Sequence, residues 1–331
     1  MTPRLPTKRH WLRRILLGVA ALVVVVPLAG WTCQQVMEAR DDRRFPPPGK
    51  LVAVDGHRMH IHCQGQGAPA VIVEQGVGAQ SLGWAPVNER LSTITTVCAY
   101  DRAGMGYSEP LDHPTPATEV ARRLHALLEQ TGLSDDIVLV GWSAGGMYSR
   151  EYYRQFPAGV KGMVLVDSSH EQQLTRMGDP DVGYVNPLKM DRYLAPIGWI
   201  RLSGEIEERF AQSPLPLPIR ERLIALNLKS RMPRTMLAEG DGFRADLTAN
   251  RTPPSLGDLP LIVLSEGKPN IPFMQERIQT WFQLQEELAH LSTKGRHIVA
   301  TQSAHAIHRT EPDLIFNAVQ EVVMAARVAP E

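Results

Sequence analysis

The sequence predicts an α/β protein: a mostly parallel, doubly wound sheet, interrupted by a helical insertion and preceded by a membrane-spanning helix. Three observations carry that expectation. From residue 51 onward, wholly apolar strand-like runs alternate with amphipathic helical ones, the pattern of a parallel sheet covered on both faces. Between about 170 and 255 the strands lapse, and the chain turns helical and rich in proline and methionine. Residues 15–32, ILLGVAALVVVVPLAGWT, carry no charge.

The N-terminal elements follow from charge. Residues 1–14 form a basic tail with Arg4, Lys8, Arg9, Arg13 and Arg14 and no acid. Eighteen uncharged residues just span a hydrocarbon layer of roughly 30 Å, so 15–37 reads as a single-pass anchor. The basic flank stays in the cytoplasm, which places the rest on the extracytoplasmic side, periplasmic or extracellular. The alternative is a cleaved signal peptide and a secreted protein. Cleavage favours small residues at the cut, whereas bulky Trp31 stands there, and Cys33 is too far past Gly30 to make a lipoprotein attachment box. A buried core helix is a third reading, disfavoured because Arg13 and Arg14 could not follow it inside. EARDDRRFPPPGK, 38–50, is charged and then proline-rich, and reads as a stiff linker.

A first core segment occupies 51–169. LVAVDG and RMHIHCQG form a hairpin around Asp55-Gly56. APAVIVEQG (68–76) and TITTVCAYDRAG (93–104) are strands, and TPATEVARRLHALLEQTG (115–132) is a helix stopped by Gly132. Strand IVLVG, helix AGGMYSREYYRQF and strand GMVLVD (162–167) follow. Residues 170–255 are the inserted helical cap. A second core segment, 256–331, holds strand PLIVLSEG, helix IQTWFQLQEELAHLS, strand RHIVATQ and helix DLIFNAVQEVVMAAR.

Lys and Arg equal Asp and Glu at 35 each, so no global field draws nucleic acid, and no basic stripe with aromatics appears. Cysteine usage fits export. Cys63 and Cys98 lie in strand-like runs, where a disulfide is permitted in an oxidising compartment and two unpaired buried thiols are the alternative.

The chemistry gathers on Gly141-Trp142-Ser143-Ala144-Gly145, a G-x-S-x-G between strand IVLV and an amphipathic helix. Such a serine occupies a sharp, strained turn, and its neighbours must be small to let strand and helix approach. The turn exposes the hydroxyl at the carboxyl edge of the sheet, at a helix N-terminus that favours negative charge. Serine needs a base, and the accompanying chain order is serine, acid, histidine. QSAHAIH after the last strand supplies His305, with His308 as a loop or supporting residue; His297 begins the strand and reads as structural. The acid is Asp167, at the end of GMVLVD, with Glu266 in LSEGKPN as the alternative. His170, close behind, reads as a contact of the cap. An oxyanion hole takes the N–H of Ala144 and that of Val77 in the loop after VIVEQG.

With GWSAG, the SAH turn before the final helix, and CAYDRAGMGYS on the page, the chain from about 51 to 328 resembles an α/β-hydrolase with a cap. The resemblance implies eight strands in order 1-2-4-3-5-6-7-8, the second antiparallel. That order sets Cys63 and Cys98 on adjacent strands, which favours their disulfide. The chain departs from the pattern twice. Gln75-Gly76, preceded by Glu74, stands where many members have His-Gly. The usual Asp after the seventh strand is missing, as in haloalkane-dehalogenase-like relatives whose acid follows the sixth. Dehalogenation and epoxide opening are not implied, because those enzymes use an aspartate nucleophile.

The expected function is hydrolysis of a small-molecule carboxylic ester, or an amide, through an acyl-enzyme on Ser143, Asp167 and His305. No metal cluster, Walker loop or dinucleotide fingerprint is present, and the glycines of DRAGMGYS lack P-loop spacing, so no metal or cofactor is expected. Two rivals stand beside this reading. An aminopeptidase of proline-iminopeptidase type would use cap acids for a substrate amine, but Glu205, Glu207, Glu208 and Glu239 read as solvated. A non-catalytic binding protein on the same scaffold would not need the three residues together. In the cap, Met177, Tyr184, Met190, Tyr193, Trp199, Phe210, Met232, Met236 and Phe243 either line an acyl pocket or pack the cap onto the core. The sequence does not fix the oligomeric state.

Overall fold

A computed structural model of the chain describes residues 8–111, 113–178 and 185–328. Tyr184 and the first seven residues of the basic tail lie outside the described residues. The sheet has eight strands: β1 Lys50–Val54, β2 His57–Gln64, β3 Ala70–Glu74, β4 Val97–Asp101, β5 Ile137–Trp142, β6 Val160–Val166, β7 Leu261–Glu266 and β8 Gly295–Ala300. Their order is β1-β2-β4-β3-β5-β6-β7-β8, as expected. β2 runs antiparallel to β1 and β4, and the remaining pairs are parallel.

The apolar runs form strands because both faces are covered. Ile72, Leu139, Met163, Leu165 and Val263 point into one core layer, and their neighbours Val71, Val73, Val138, Val140, Val164 and Leu264 into the other. That alternation is the period of two in a pleated strand. Cys63 stands opposite Cys98 in the β2–β4 register, and the two form a disulfide.

The helices outside the insertion are α1 Lys8–Arg44, α2 Ala85–Leu91, α3 Ala117–Thr131 and α4 Ala144–Gln155 before it, and α11 Pro272–Ala289, α12 Ile307–Thr310 and α13 Pro312–Val328 after it. Between β6 and β7 lie α5 Gln173–Met177, α6 Val185–Leu194, α7 Trp199–Ser203, α8 Glu205–Ala211, α9 Leu217–Asn227 and α10 Met232–Ala249. These six form a lid.

α1 is long and apolar enough to cross a membrane, and its apolar side chains are exposed, Leu16 at 67% and Val24 at 64%. It corrects one expectation: the helix does not stop at residue 37 but runs to Arg44, so most of the charged half of the 38–50 stretch is helical rather than linker. The reason is a set of lid partners for its acids. Buried Gln34 donates to the Leu228 carbonyl at 2.7 Å, Glu38 accepts from the Ser230 N–H at 2.7 Å, and Asp41 and Asp42 pair with Arg201 and Lys229, each at 2.8 Å. Gly30 permits close approach, since a Cβ there would lie 2.5 Å from the Ile197 carbonyl oxygen.

Candidate active site

Strand β5 and helix α4 meet at Ser143, whose φ of 57° and ψ of −127° lie in the strained region that serves nucleophile elbows. The glycines around it are steric requirements. A Cβ on Gly141 would sit 2.6 Å from the backbone of Gly145 and Gly146, one on Gly145 would strike the Glu74 carbonyl, and one on Gly146 the Ser168 side chain. The serine is pinned by its own backbone: its N–H donates to Val166 at 3.1 Å and its C=O accepts from Ser169 at 2.9 Å.

Asp167 follows β6 directly and His305 lies in the loop after β8, so topology brings both to the edge where Ser143 stands. His305 Nδ1 lies 2.6 Å from Asp167 Oδ2. A carboxylate only accepts, so Nδ1 carries the proton and Nε2 is left as the basic nitrogen. The other Asp167 oxygen, Oδ1, accepts from Trp281 Nε1 at 2.7 Å and from the Glu266 N–H at 2.9 Å. Asp167 is fully buried, while the His305 side chain is 47% exposed. Trp142 ties the histidine loop to the elbow, its Nε1 donating to the His305 carbonyl at 2.9 Å. Burial lowers the His305 pKa, but the hydrogen bond and charge of Asp167, with the charge of Glu266, outweigh it and raise the net value.

Glu266, the alternative acid, is also buried beside this pair, but it touches only the His305 backbone and not the ring. Burial, then the charge of Asp167, pushes its carboxyl up to about 7. Imidazole orientation therefore belongs to Asp167. His308 stacks on Trp84 with ring centroids 4.5 Å apart and meets Trp142 edge-on. Burial holds it well below the ordinary histidine pKa, so it packs as a neutral ring behind His305. His297 shares a 2.7 Å hydrogen bond with Ser265, in keeping with a structural role. His170 is buried, accepts from the Gln172 N–H at 3.0 Å and lies 3.7 Å from Glu287 of α11.

The loop 75–78 completes the edge. Gly76 backs onto the nucleophile, since a Cβ there would lie 3.0 Å from Ser143 Cβ and 3.2 Å from the Trp142 ring. Among the described residues the N–H groups of Val77 and Ala144 have no hydrogen-bond acceptor. The loop is held by Arg102, which follows β4. Its Nη1 donates to the Gln75 carbonyl and its Nη2 to the Gly76 carbonyl, both at 2.6 Å. The buried guanidinium also bonds Glu74 through Nη1 and Glu239 through Nε, again at 2.6 Å each. The Tyr100 hydroxyl donates to Glu74 as well. Burial alone would lower the Arg102 pKa, but the charges of Glu239 and Glu74 raise it well above its ordinary value, so it stays charged.

Glu239 corrects the sequence reading. It is 4% exposed rather than solvated, and its Oε2 accepts from the Gly78 N–H at 2.5 Å. A signal for this was present. Met232, Thr235, Glu239, Gly242 and Asp246 recur at three- and four-residue spacing and make the buried stripe of α10. Glu205, Glu207 and Glu208 are exposed on α8, as expected. The apolar lid residues divide. Met236 lies against Gly78, and Phe243, like Val77, packs against the cluster that holds Ala144 and Met147. Met177 packs with Trp281 and Phe210 with Leu215, while Met232 is buried. Met190, Tyr193 and Trp199 face outward at 60%, 59% and 54% exposure.

The sequence profile of the alpha/beta hydrolase fold matches residues 69–312. An AB hydrolase superfamily protein of Gibberella zeae is 23% identical over 288 residues, covering 78% of this chain and 87% of that protein. Among solved structures, a thermophilic esterase from Thermogutta terrifontis superposes with a TM-score of 0.59 at 21% identity, over 83% of this chain and 97% of the esterase. A membrane phospholipase A, described as a bacterial virulence factor, gives 0.60 at 18% identity, over 98% of this chain and 100% of that one. At these identities the structural matches speak for the fold.

Proposed function

The chain belongs to the alpha/beta hydrolase fold family, and from that premise we propose that it is a membrane-anchored serine hydrolase of carboxylic esters. One observation carries the reading: a strained Ser143 shares a sheet edge with a bonded His305–Asp167 pair. In the reaction, His305 Nε2 takes the Ser143 proton as Oγ attacks the ester carbonyl. The N–H groups of Val77 and Ala144 receive the developing oxyanion. The tetrahedral adduct collapses as His305 hands its proton to the departing alcohol. Water, deprotonated by the same nitrogen, then attacks the acyl-serine, and the acid leaves. Asp167 holds the tautomer and stabilises the imidazolium throughout.

The rivals lose support on specific residues. An aminopeptidase needs an acid free for the substrate amine, yet Glu239 is engaged by Arg102 and Gly78, and the three acids of α8 face solvent. A non-catalytic scaffold has no use for the strain at Ser143. The anchor is supported by exposed Trp11 and Trp31, which bracket about 30 Å of helix, one hydrocarbon thickness with an aromatic at each interface. The Cys63–Cys98 disulfide fits an oxidising, extracytoplasmic compartment. Gly198 lies beside Gly30, a Cβ on it falling 3.6 Å from the Gly30 carbonyl oxygen, and exposed Trp199 and Trp31 are the next residues of the two segments. That placement favours esters that arrive from a lipid surface.

The test is covalent labelling. A fluorophosphonate probe labels Ser143 in the full chain and not in Ser143→Ala, and nitrophenyl esters turn over where aminoacyl anilides do not. Absence of labelling in folded protein refutes the catalytic reading. Release of the chain from membranes by alkaline carbonate refutes the anchor.

A further inference from the structure

We propose that Glu239, carried by the lid, is a positioning residue for the oxyanion hole and makes its geometry depend on the lid being seated. This rests on the reading of the Val77 N–H as an oxyanion donor. Such a donor works only if it is fixed before the reaction, to within a few tenths of an ångström. Residues 75–78 belong to no helix or strand; one backbone turn bond, from the Ala79 N–H to the Gly76 carbonyl at 3.2 Å, bears on that peptide, but it lies within the loop and ties it to neither core nor lid.

Arg102 and Glu239 supply those ties. The Gly76 C=O and the Val77 N–H belong to one peptide unit, which is planar and trans, so the two groups point in opposite directions. Arg102 Nη2, 2.6 Å from the Gly76 oxygen, therefore aims the Val77 N–H away from itself. The guanidinium charge also polarises that peptide and strengthens the N–H as a donor. The adjacent Gln75 carbonyl is held by Nη1 of the same group. On the far side, the Gly78 N–H is held by Glu239 Oε2 at 2.5 Å.

Two carboxylates orient Arg102, and they differ in origin. Glu74 ends β3 and moves with the core. Glu239 comes from α10, 137 residues along the chain from Arg102, and moves with the lid. When α10 lifts, Gly78 N–H and Arg102 Nε lose their acceptors together. One buried side chain thus reports lid position to the loop that receives the oxyanion.

The experiment compares wild type, Glu239→Gln and Glu239→Ala as full chains on a soluble nitrophenyl ester, with melting temperature measured alongside. Glu239→Ala is expected to lose about 10²- to 10³-fold in kcat, the effect of one displaced oxyanion donor, with KM within threefold. Affinity for a boronic acid, whose tetrahedral adduct fills the oxyanion hole, falls in parallel with kcat. Affinity for the product acid does not fall. Glu239→Gln keeps an acceptor but puts its amide N–H₂ against Gly78 N–H or Arg102 Nε, and is expected to lose at least tenfold. The acid limb of the pH profile, set by His305, stays in place in both. If Glu239→Ala does not fold, Glu239→Gln decides alone. Retention of kcat within threefold in the folded variants, or equal losses of boronate and product affinity, overturns the positioning role while leaving the esterase reading intact. Failure of the wild type to turn over ester or to label at Ser143 overturns both.

Discussion

Replacing Asp167 by Asn isolates the acid from everything else in the site. Three donors converge on this carboxylate: His305 Nδ1 on Oδ2, and Trp281 Nε1 with the Glu266 N–H on Oδ1. An asparagine of the same shape keeps one acceptor and presents an N–H₂ at the other position. With that N–H₂ at the Oδ1 position, two donors would face a donor. With it at the Oδ2 position, only His305 would, so the amide takes the second orientation. His305 then answers by becoming an acceptor at Nδ1, which puts its proton on Nε2, the nitrogen meant to receive the Ser143 proton. The geometry survives and the base is lost. In serine enzymes a wrong tautomer of this kind costs roughly 10⁴ in kcat, about 5.4 kcal/mol of barrier. Initial rates on a nitrophenyl ester, with melting temperature as a folding control, measure it. Glu266→Gln, which touches no part of the His305 ring, is expected to keep kcat within tenfold at its own pH optimum. Full activity in Asp167→Asn together with its loss in Glu266→Gln would sink the assignment of the acid.

Three further outcomes follow from the same geometry. His305 must be neutral to act, and the carboxyl groups around it raise its pKa, so the acid limb of kcat/KM lies above the ordinary histidine value of about 6.5. The Glu266 carboxyl, pushed up to about 7, is partly ionised across that limb, so Glu266→Gln removes a fraction of a negative charge and moves the limb to lower pH; an unmoved or upward-shifted limb contradicts this. Gly76→Ala places a Cβ 3.0 Å from Ser143 Cβ, costing about 1 to 3 kcal/mol of stability and lowering kcat more than it lowers the melting temperature accounts for. Unchanged kcat in that variant refutes the close approach. Removing the Cys63–Cys98 disulfide, which closes a loop with a sequence separation of 35, costs about 4 kcal/mol by the chain-entropy estimate. Urea midpoints of wild type and the double Cys→Ser variant test it.

The residues proposed to react were readable as candidates because each follows an apolar strand, and strand ends in a parallel sheet share an edge. Ser143 after IVLVGW, Asp167 after VLV and His305 after IVA needed only the order of the chain. What supports them was not readable in the same way. Trp281 sits in a helix where its ring reads as core, and only folding brings its N–H to Asp167, 114 residues away. Glu239 lies on a buried stripe, but a carboxylate there means nothing until Arg102 stands opposite. The acids of EARDDRR read as linker for a similar reason, since a composition window does not contain Arg201 and Lys229. Spacing reports which face a residue lies on, whereas charge pairing across the fold depends on which faces meet.

The fastening of α1 has a consequence for what moves. Its bonds from Gln34, Glu38, Asp41 and Asp42 go to the lid, and it continues to β1 through the short run 45–49, where Arg222 of α9 lies over Phe45 and donates to the Pro46 carbonyl. If a bilayer holds α1, the lid becomes the stationary frame and the sheet the swinging part, linked to that frame by the run 47–49 and by the two connections that join the lid to β6 and β7. Opening the site would then tilt the whole sheet relative to the membrane plane, and lipid packing around the anchor would bear on how often that happens.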